Sequence, residues 1–187
     1  EGTNPYQHIR LGRAFDKKAT MLGDPSFFKM SEKYYKQAIA LSPTRQEAYY
    51  AYALSLVRQK RSEEAIKILN HYPVLDIAIP ISYFYLGLAQ FNVGKAVYPD
   101  ALYSFEIFFG KKAQNPDSRV SKNIYEAFLR HFYETQDRIR LPVVAARLSA
   151  LDPERQAGYL RLIDFVKKHN QIPQVTFQGN SLAAVLP

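Results

Sequence analysis

The stretch QEAYYAYALSLVRQKRSEEAIKIL, residues 46–69, decides the fold. Position numbers are counted from Gln46. Positions four, seven, eight and eleven hold Tyr49, Tyr52, Ala53 and Leu56, whose side chains are large, large, small and large. Positions twenty and twenty-four hold the small Ala65 and the large Leu69. The first four of these positions lie on one stripe of a helix. A small residue at position twenty lets a second helix cross close to the first. The stretch therefore predicts a pair of antiparallel helices.

The same spacing returns along the chain, as expected for a repeat with a period of about 34 residues. The frame that begins at Gly12 places Phe15, Ala19, Leu22, Tyr35 and Ala38 at packing positions, and the frame at Pro80 places Tyr83, Leu86, Gly87 and Gly94 there, with Ala101 and Phe105 shifted by two residues. The frame at Lys122 places Tyr125, Phe128, Leu129, Phe132 and Ala145 at these positions. The frame at Gln156 places Tyr159, Leu162, Ile163 and Val166 there. The repetition predicts an all-α solenoid of about four helix pairs and a closing helix. Lys18, Leu129 and Leu141 depart from the pattern and predict looser packing towards the ends.

The predicted organisation is a lead-in over residues 1–11, a superhelical domain over 12–169 and a tail over 170–187. Within the domain, the repeats cover 12–45, 46–79, 80–121 and 122–155, and the closing helix covers 156–169. We place helices at 5–22, 25–41, 45–59, 62–72, 77–92, 99–112, 119–135, 141–151 and 154–169. Asp24 and Asp152 each precede a proline, which is typical of a capped helix start. In the tail, residues 175–177 are weakly strand-like and the remainder has the composition of a linker.

The pattern over residues 12–169 resembles the tetratricopeptide repeat family. In that family the first helix of each pair lines a concave groove at positions two, five, nine, twelve and thirteen. The resemblance implies a groove lined, among others, by Tyr50, Leu54, Val57, Arg58, Ile81, Phe84, Leu88, Phe91, Asn92, Arg130 and Tyr133, with Glu47, Asn123, Glu126 and Glu134 at the remaining positions. Ile81, Phe84, Leu88 and Phe91 are apolar where solvent is expected, which is typical of a binding site. Coverage of this patch by the chain's own tail, a neighbouring helix or a second copy, as in a homodimer, is the alternative.

Composition narrows the class of partner. The net charge is +8, which favours an acidic partner, although a basic balance also serves solubility alone. No run of five or more like charges occurs, so a nucleic-acid-binding arm is not predicted. Cysteine is absent, which excludes disulfides and thiolate metal sites. The apolar stretches are too short to span a bilayer, and residues 1–5 do not resemble a signal peptide, so any targeting segment would lie outside this sequence.

The sequence predicts no catalytic residue, no metal site and no cofactor. Its four histidines have no metal-ligand spacing, and each is expected at a surface or turn. Gly87, Gly94 and Lys95 lack the spacing of a phosphate-binding loop, and the repeat explains both glycines. The pairs Glu63–Glu64 and Asp152–Glu154 belong to helix starts. We therefore expect a non-catalytic module that binds a protein or peptide, acidic or apolar.

A second resemblance concerns residues 35–49, YKQAIALSPTRQEAY. This phrase is similar to the repeat domain that follows the membrane helices of bacterial O-antigen ligase-like and polymerase-like glycan proteins. That resemblance implies an extracytoplasmic domain attached to a membrane protein of the cell envelope, with the chemistry outside this chain. The alternative is a free-standing cytoplasmic scaffold or co-chaperone adaptor. Adaptors that clamp a carboxylate carry several basic and amide groove residues, whereas this groove is mostly apolar.

Overall fold

The computed structural model of the protein describes residues 4–70, 81–111, 118–174, 177–178 and 181–182. These residues form an all-α helical repeat. The helices are α1 (Pro5–Leu22), α2 (Ser26–Leu41), α3 (Gln46–Arg58), α4 (Ser62–Leu69), α5 (Ile81–Val93), α6 (Tyr98–Lys111), α7 (Ser118–Glu134), α8 (Arg140–Leu151) and α9 (Gln156–His169), with single 3₁₀ turns at Lys95–Val97 and Pro153–Arg155. Within these bounds the predicted helices are confirmed. The predicted positions 71–72, 77–80 and 112 lie outside the described residues.

Two helix starts show how local chemistry sets these bounds. Asp24 caps α2 as predicted, because its Oδ1 accepts a hydrogen bond of 2.9 Å from the Ser26 backbone N–H. Asp152 precedes a helical turn as predicted, but that turn is the 3₁₀ turn Pro153–Arg155, the Asp152 side chain makes no capping hydrogen bond, and α9 begins only at Gln156. The buried carboxylate lies 2.9 Å from the Lys122 Nζ instead.

The tail contains a short strand pair that the sequence predicted only in part. Strands β1 (Phe177–Gln178) and β2 (Ser181–Leu182) pair antiparallel, with Phe177 opposite Leu182. The linker prediction is therefore wrong at residues 181–182. The weak strand prediction at 175–177 is matched at Phe177, and residues 175 and 176 lie outside the described residues.

The chain divides into two compact units, Glu1–Ala113 and Gln114–Pro187. In the first unit α1 packs against α2, α3 against α4 and α5 against α6, while α3 also contacts α1 and α5. The first helices of successive pairs are thus neighbours, as a stacked repeat requires. All six packing positions of the frame at Gln46 are buried.

Two residues in the first unit show how closely its helices approach. A Cβ added at Gly87 would lie 3.1 Å from the Phe105 ring, so the expected close crossing of α5 and α6 is present. Leu22 departs from the frame, because it is 62% exposed where a packed side chain was predicted. It is the last residue of α1, and Gly23 follows it in the left-handed conformation.

The second unit contains α7, α8 and α9, packed in sequence order, and β2 lies beside α7. Its core is a cluster of fully or almost fully buried side chains: Tyr125, Phe128, Leu129, Phe132, Leu141, Val144, Leu148, Tyr159, Leu162 and Val166. Leu129 and Leu141 are both fully buried, so the unit encloses the two large residues that depart from the repeat pattern. Among the helices described, none is long and apolar enough to cross a membrane.

Candidate functional site

The candidate site is the surface of the first unit formed by α3 and α5 at the frame's groove positions. We call it the inner face and define it by the predicted residues that keep some exposure: Leu54, Val57, Arg58, Ile81, Phe84, Leu88, Phe91 and Asn92. The two helices contact each other directly. The predicted groove residues of the second and third repeats therefore lie on two neighbouring helices.

Tyr50 was predicted to line the groove, but its side chain lies in the core. It is only 8% exposed and belongs to the core. Its ring stacks on that of Tyr85, with centroids 5.4 Å apart, and its hydroxyl donates a hydrogen bond of 2.7 Å to the Gln46 Oε1. Tyr50 therefore joins α3 to α5 and supports the inner face from beneath.

The two phenylalanines of α5 are partly exposed and rest on α6. The Phe84 ring lies 5.9 Å from that of Phe105 and 5.1 Å from that of Phe108. The Phe91 ring stacks on Tyr98 at 5.0 Å. Contacts of this kind hold an aromatic ring in one orientation. Each ring is therefore packed against α6 on one side and partly exposed to solvent.

At the C-terminal ends of α3 and α5 the inner face meets a cavity. Val57 and Asn92, both predicted groove residues, line it together with Lys60, Arg61, Ser62, Glu63, Glu64 and Val93. The Asn92 amide donates to the Leu88 carbonyl oxygen at 2.8 Å, so its side chain folds back onto its own helix. The cavity wall carries charges of both signs.

A buried polar cluster beneath this face was not predicted from the sequence. Asp16 is 1% exposed, and its carboxylate accepts hydrogen bonds from Ser31 Oγ at 2.5 Å, Ser55 Oγ at 2.6 Å and the Tyr35 hydroxyl at 2.9 Å. Burial, and then the charge of Asp16, raises the pKa of Tyr35 above its ordinary value, so this hydroxyl remains a donor. The cluster ties α1, α2 and α3 together.

Arg58 is the cation nearest to this cluster. Its guanidinium lies 3.6 Å from the Asp16 Oδ2, yet 46% of its side chain is exposed. A guanidinium has five N–H donors, and one carboxylate does not saturate them. Arg58 can therefore compensate the buried charge and still donate to an acidic group on a partner.

The repeat frame contains the signal for Asp16. Applied at Gly12, positions two and five are Arg13 and Asp16. Arg13 forms an ion pair of 2.9 Å with Glu47, which occupies position two of the next repeat. Equivalent groove positions thus meet across α1 and α3, and extending the groove assignment to the first repeat would have identified both residues.

The remaining predicted groove residues lie in the second unit, where most of them contact other side chains of that unit. The Arg130 Nε donates to the Glu134 Oε1 at 3.0 Å on the same helix, and Tyr133 is partly buried. Glu126 is buried and lies 3.8 Å from the Arg155 guanidinium. A groove that includes these residues stays a prediction.

Within the described part of the chain, no three His, Asp or Glu side chains are arranged to hold a metal ion. Of the histidines, His8, His131 and His169 contact the rings of Tyr34, Phe132 and Phe165, while His71 lies outside the described residues. Gly94 has a φ of 124°, in agreement with its expected role in a turn.

Comparison with known families supports the repeat assignment. The family model described as tetratricopeptide repeat matches residues 31–76, which contain α3, α4 and most of α2. Repeats of this kind generally mediate contacts between proteins, and the fold is typically non-catalytic. No curated protein and no solved structure matches the chain.

Proposed function

We propose that this protein binds a peptide or protein segment on the inner face of α3 and α5. The observation that carries the proposal is the row of partly exposed apolar side chains on adjacent helices, with oriented rings at Phe84 and Phe91 and a half-exposed cation at Arg58. A few well-packed side chains, with aromatic rings and arginine prominent among them, contribute most of the binding energy in protein interfaces.

The chemistry of the face favours an apolar ligand with an acidic residue. Leu54, Leu88 and the two phenylalanines would contact apolar side chains. Arg58 would contact a carboxylate, which agrees with the net charge of +8. Because the helices are preformed, ordering costs on binding would fall mainly on the ligand.

The test is selection of peptides from a random display library, followed by calorimetric titration of one selected peptide. Leu54→Glu and Leu88→Glu each place a carboxylate on the inner face, and we expect each to weaken binding by about tenfold or more. Phe84→Ala also weakens binding, but Phe84 contacts α6, so a thermal melt has to accompany that variant.

The control is Tyr103→Glu, since Tyr103 is exposed on α6 and absent from the inner face. Equal weakening by Tyr103→Glu, or full affinity in Leu54→Glu and Leu88→Glu, would place binding elsewhere. Attachment to an envelope membrane protein, the cytoplasmic alternative and homodimer formation stay predictions from the sequence.

A further inference from the structure

The turn between α1 and α2 presents two adjacent apolar side chains to solvent. Met21 is 72% exposed and Leu22 is 62% exposed. The turn itself is well defined: Gly23 ends α1 with a φ of 65°, and Asp24 caps the start of α2. The exposure of the two side chains is therefore fixed by the backbone on both sides.

Three lysines lie on the two helices that flank this turn. Lys17 and Lys18 lie one helical turn before Met21 and Leu22, and Lys29 lies in the first turn of α2; all three are exposed. The Lys18 Nζ sits 4.2 Å from the centre of the Phe27 ring. From residue 17 to residue 31 the only acidic residue is Asp24, which is engaged in capping. The turn thus combines two exposed apolar side chains with three exposed lysines.

We propose that this α1–α2 turn contacts the surface of an anionic lipid bilayer. Met21 and Leu22 would enter the boundary between headgroups and acyl chains. Lys17, Lys18 and Lys29 would stay at the level of the lipid phosphates, since lysine stems lie along apolar surfaces while their ammonium groups remain in water.

Charge and shape favour a bilayer over a protein partner. Interface anchors between proteins are mostly Trp, Tyr and Arg in shaped pockets, whereas this turn offers flexible aliphatic side chains and lysines. A fluid anionic surface needs no shape match. Each lysine near such a surface raises the partition coefficient about fivefold. Two apolar side chains alone bind weakly, so the interaction requires anionic lipid and declines with salt.

The test uses Leu22→Trp in the whole chain, which has no natural tryptophan. The variant is mixed with phosphatidylcholine vesicles that contain about 30% phosphatidylserine, or none. We expect a blue-shifted emission and quenching by brominated acyl chains with the anionic vesicles only. Tyr103→Trp, on an exposed site of α6, is the matched control and should show neither change.

Two further variants, measured by co-sedimentation, separate the apolar and basic contributions. The double substitution of Met21→Ser and Leu22→Ser should abolish measurable binding to anionic vesicles. Lys17→Gln combined with Lys29→Gln should lower the partition coefficient by about twentyfold. Leu88→Glu on the inner face should leave vesicle binding unchanged, so this proposal and the proposed function fail independently.

Three results would overturn the proposal: an unshifted Leu22→Trp emission with anionic vesicles, equal binding to neutral vesicles, or wild-type binding of the Met21→Ser, Leu22→Ser variant. A Leu22→Trp emission that shifts with the selected peptide and not with vesicles would assign the turn to a protein partner instead, and would equally refute it.

Discussion

At the scale of single residues, close approach of two helices depends on one glycine. Gly12 in α1 faces Tyr35 in α2, and a Cβ at that position would lie 2.5 Å from the Tyr35 ring. The ring has no room to retreat, because Tyr35 is fully buried and its hydroxyl is held by Asp16. Gly12 therefore sets how closely α1 and α2 pack.

Gly12→Ala should lower the free energy of unfolding by about 1–2 kcal/mol, since overpacking outweighs the gain in helix propensity. Urea denaturation measures the change. Gly110→Ala is the matched control, because Gly110 is also helical but, in the described part of the chain, no atom of another helix or of a side chain lies within 4 Å of a Cβ added there. It should be neutral or slightly stabilising, and a stabilised Gly12→Ala would contradict the contact with Tyr35.

The buried Asp16 carboxylate accepts hydrogen bonds from three hydroxyl groups. Asp16→Ala removes the acceptor for Ser31, Ser55 and Tyr35, and we expect a loss of about 3 kcal/mol in the free energy of unfolding. Asp164→Ala, which removes an exposed carboxylate from α9, should change stability by less than about 0.5 kcal/mol. Similar melting temperatures for the two variants would show that the buried cluster contributes little.

At the scale of elements, an ionic network around Glu32 connects the first two helix pairs. The Glu32 carboxylate on α2 accepts hydrogen bonds from Tyr52 on α3 at 2.7 Å and from Arg61 at 3.0 Å, and pairs with Lys36 at 2.8 Å. Arg61 also pairs with Glu64 in α4 at 2.6 Å. The network complements the Asp16 cluster and fixes the angle between pairs.

This network predicts a pH dependence. Burial alone would raise the pKa of Glu32, but hydrogen bonds from Lys36, Tyr52 and Arg61 outweigh it and lower the pKa from 4.5 to about 2. Because the folded pKa lies below the unfolded one, the stabilisation is complete above pH 4.5 and is lost as the pH falls towards 2. With allowance for solvent access, it amounts to about 2 kcal/mol.

Urea unfolding of the wild type and of Glu32→Gln at several acidic pH values measures this contribution. The variant should lose about 2 kcal/mol at neutral pH and a smaller amount as the pH approaches 2, where the wild-type carboxylate is itself protonated. Glu63→Gln, at an exposed site of α4, serves as the control. A deficit in Glu32→Gln that stays constant over the acidic range would argue against the lowered pKa.

At the scale of the whole molecule, the described helices mainly contact helices that are near them in the sequence. The neighbours of α3 are α1, α2, α4 and α5, while the helices of the second unit pack in sequence order. In repeat proteins, stability is approximately a sum of repeat and nearest-neighbour terms. Loss of one buried side chain should therefore act mainly on the adjoining helices.

Leu56→Ala removes a fully buried side chain of α3 and should cost about 2–4 kcal/mol. Hydrogen exchange should show the largest loss of protection in α1 to α5 and a smaller one in α7 to α9. Leu148→Ala, equally buried in α8, should show the reverse distribution. Uniform loss in both variants would contradict nearest-neighbour stability.

The sequence alone determined the helices, the repeat spacing and the packed residues of α3, because these follow from a local period that each repeat displays. The assignment of residues to groove positions also comes from the sequence and stays a prediction. Only the tertiary structure decided that Tyr50 is buried, that Leu22 is exposed and that Asp16 on α1 accepts hydrogen bonds from three hydroxyls on α2 and α3. These outcomes depend on which side chains from different helices meet in space. The spacing of apolar residues within one helix does not specify which side chains of another helix will contact it.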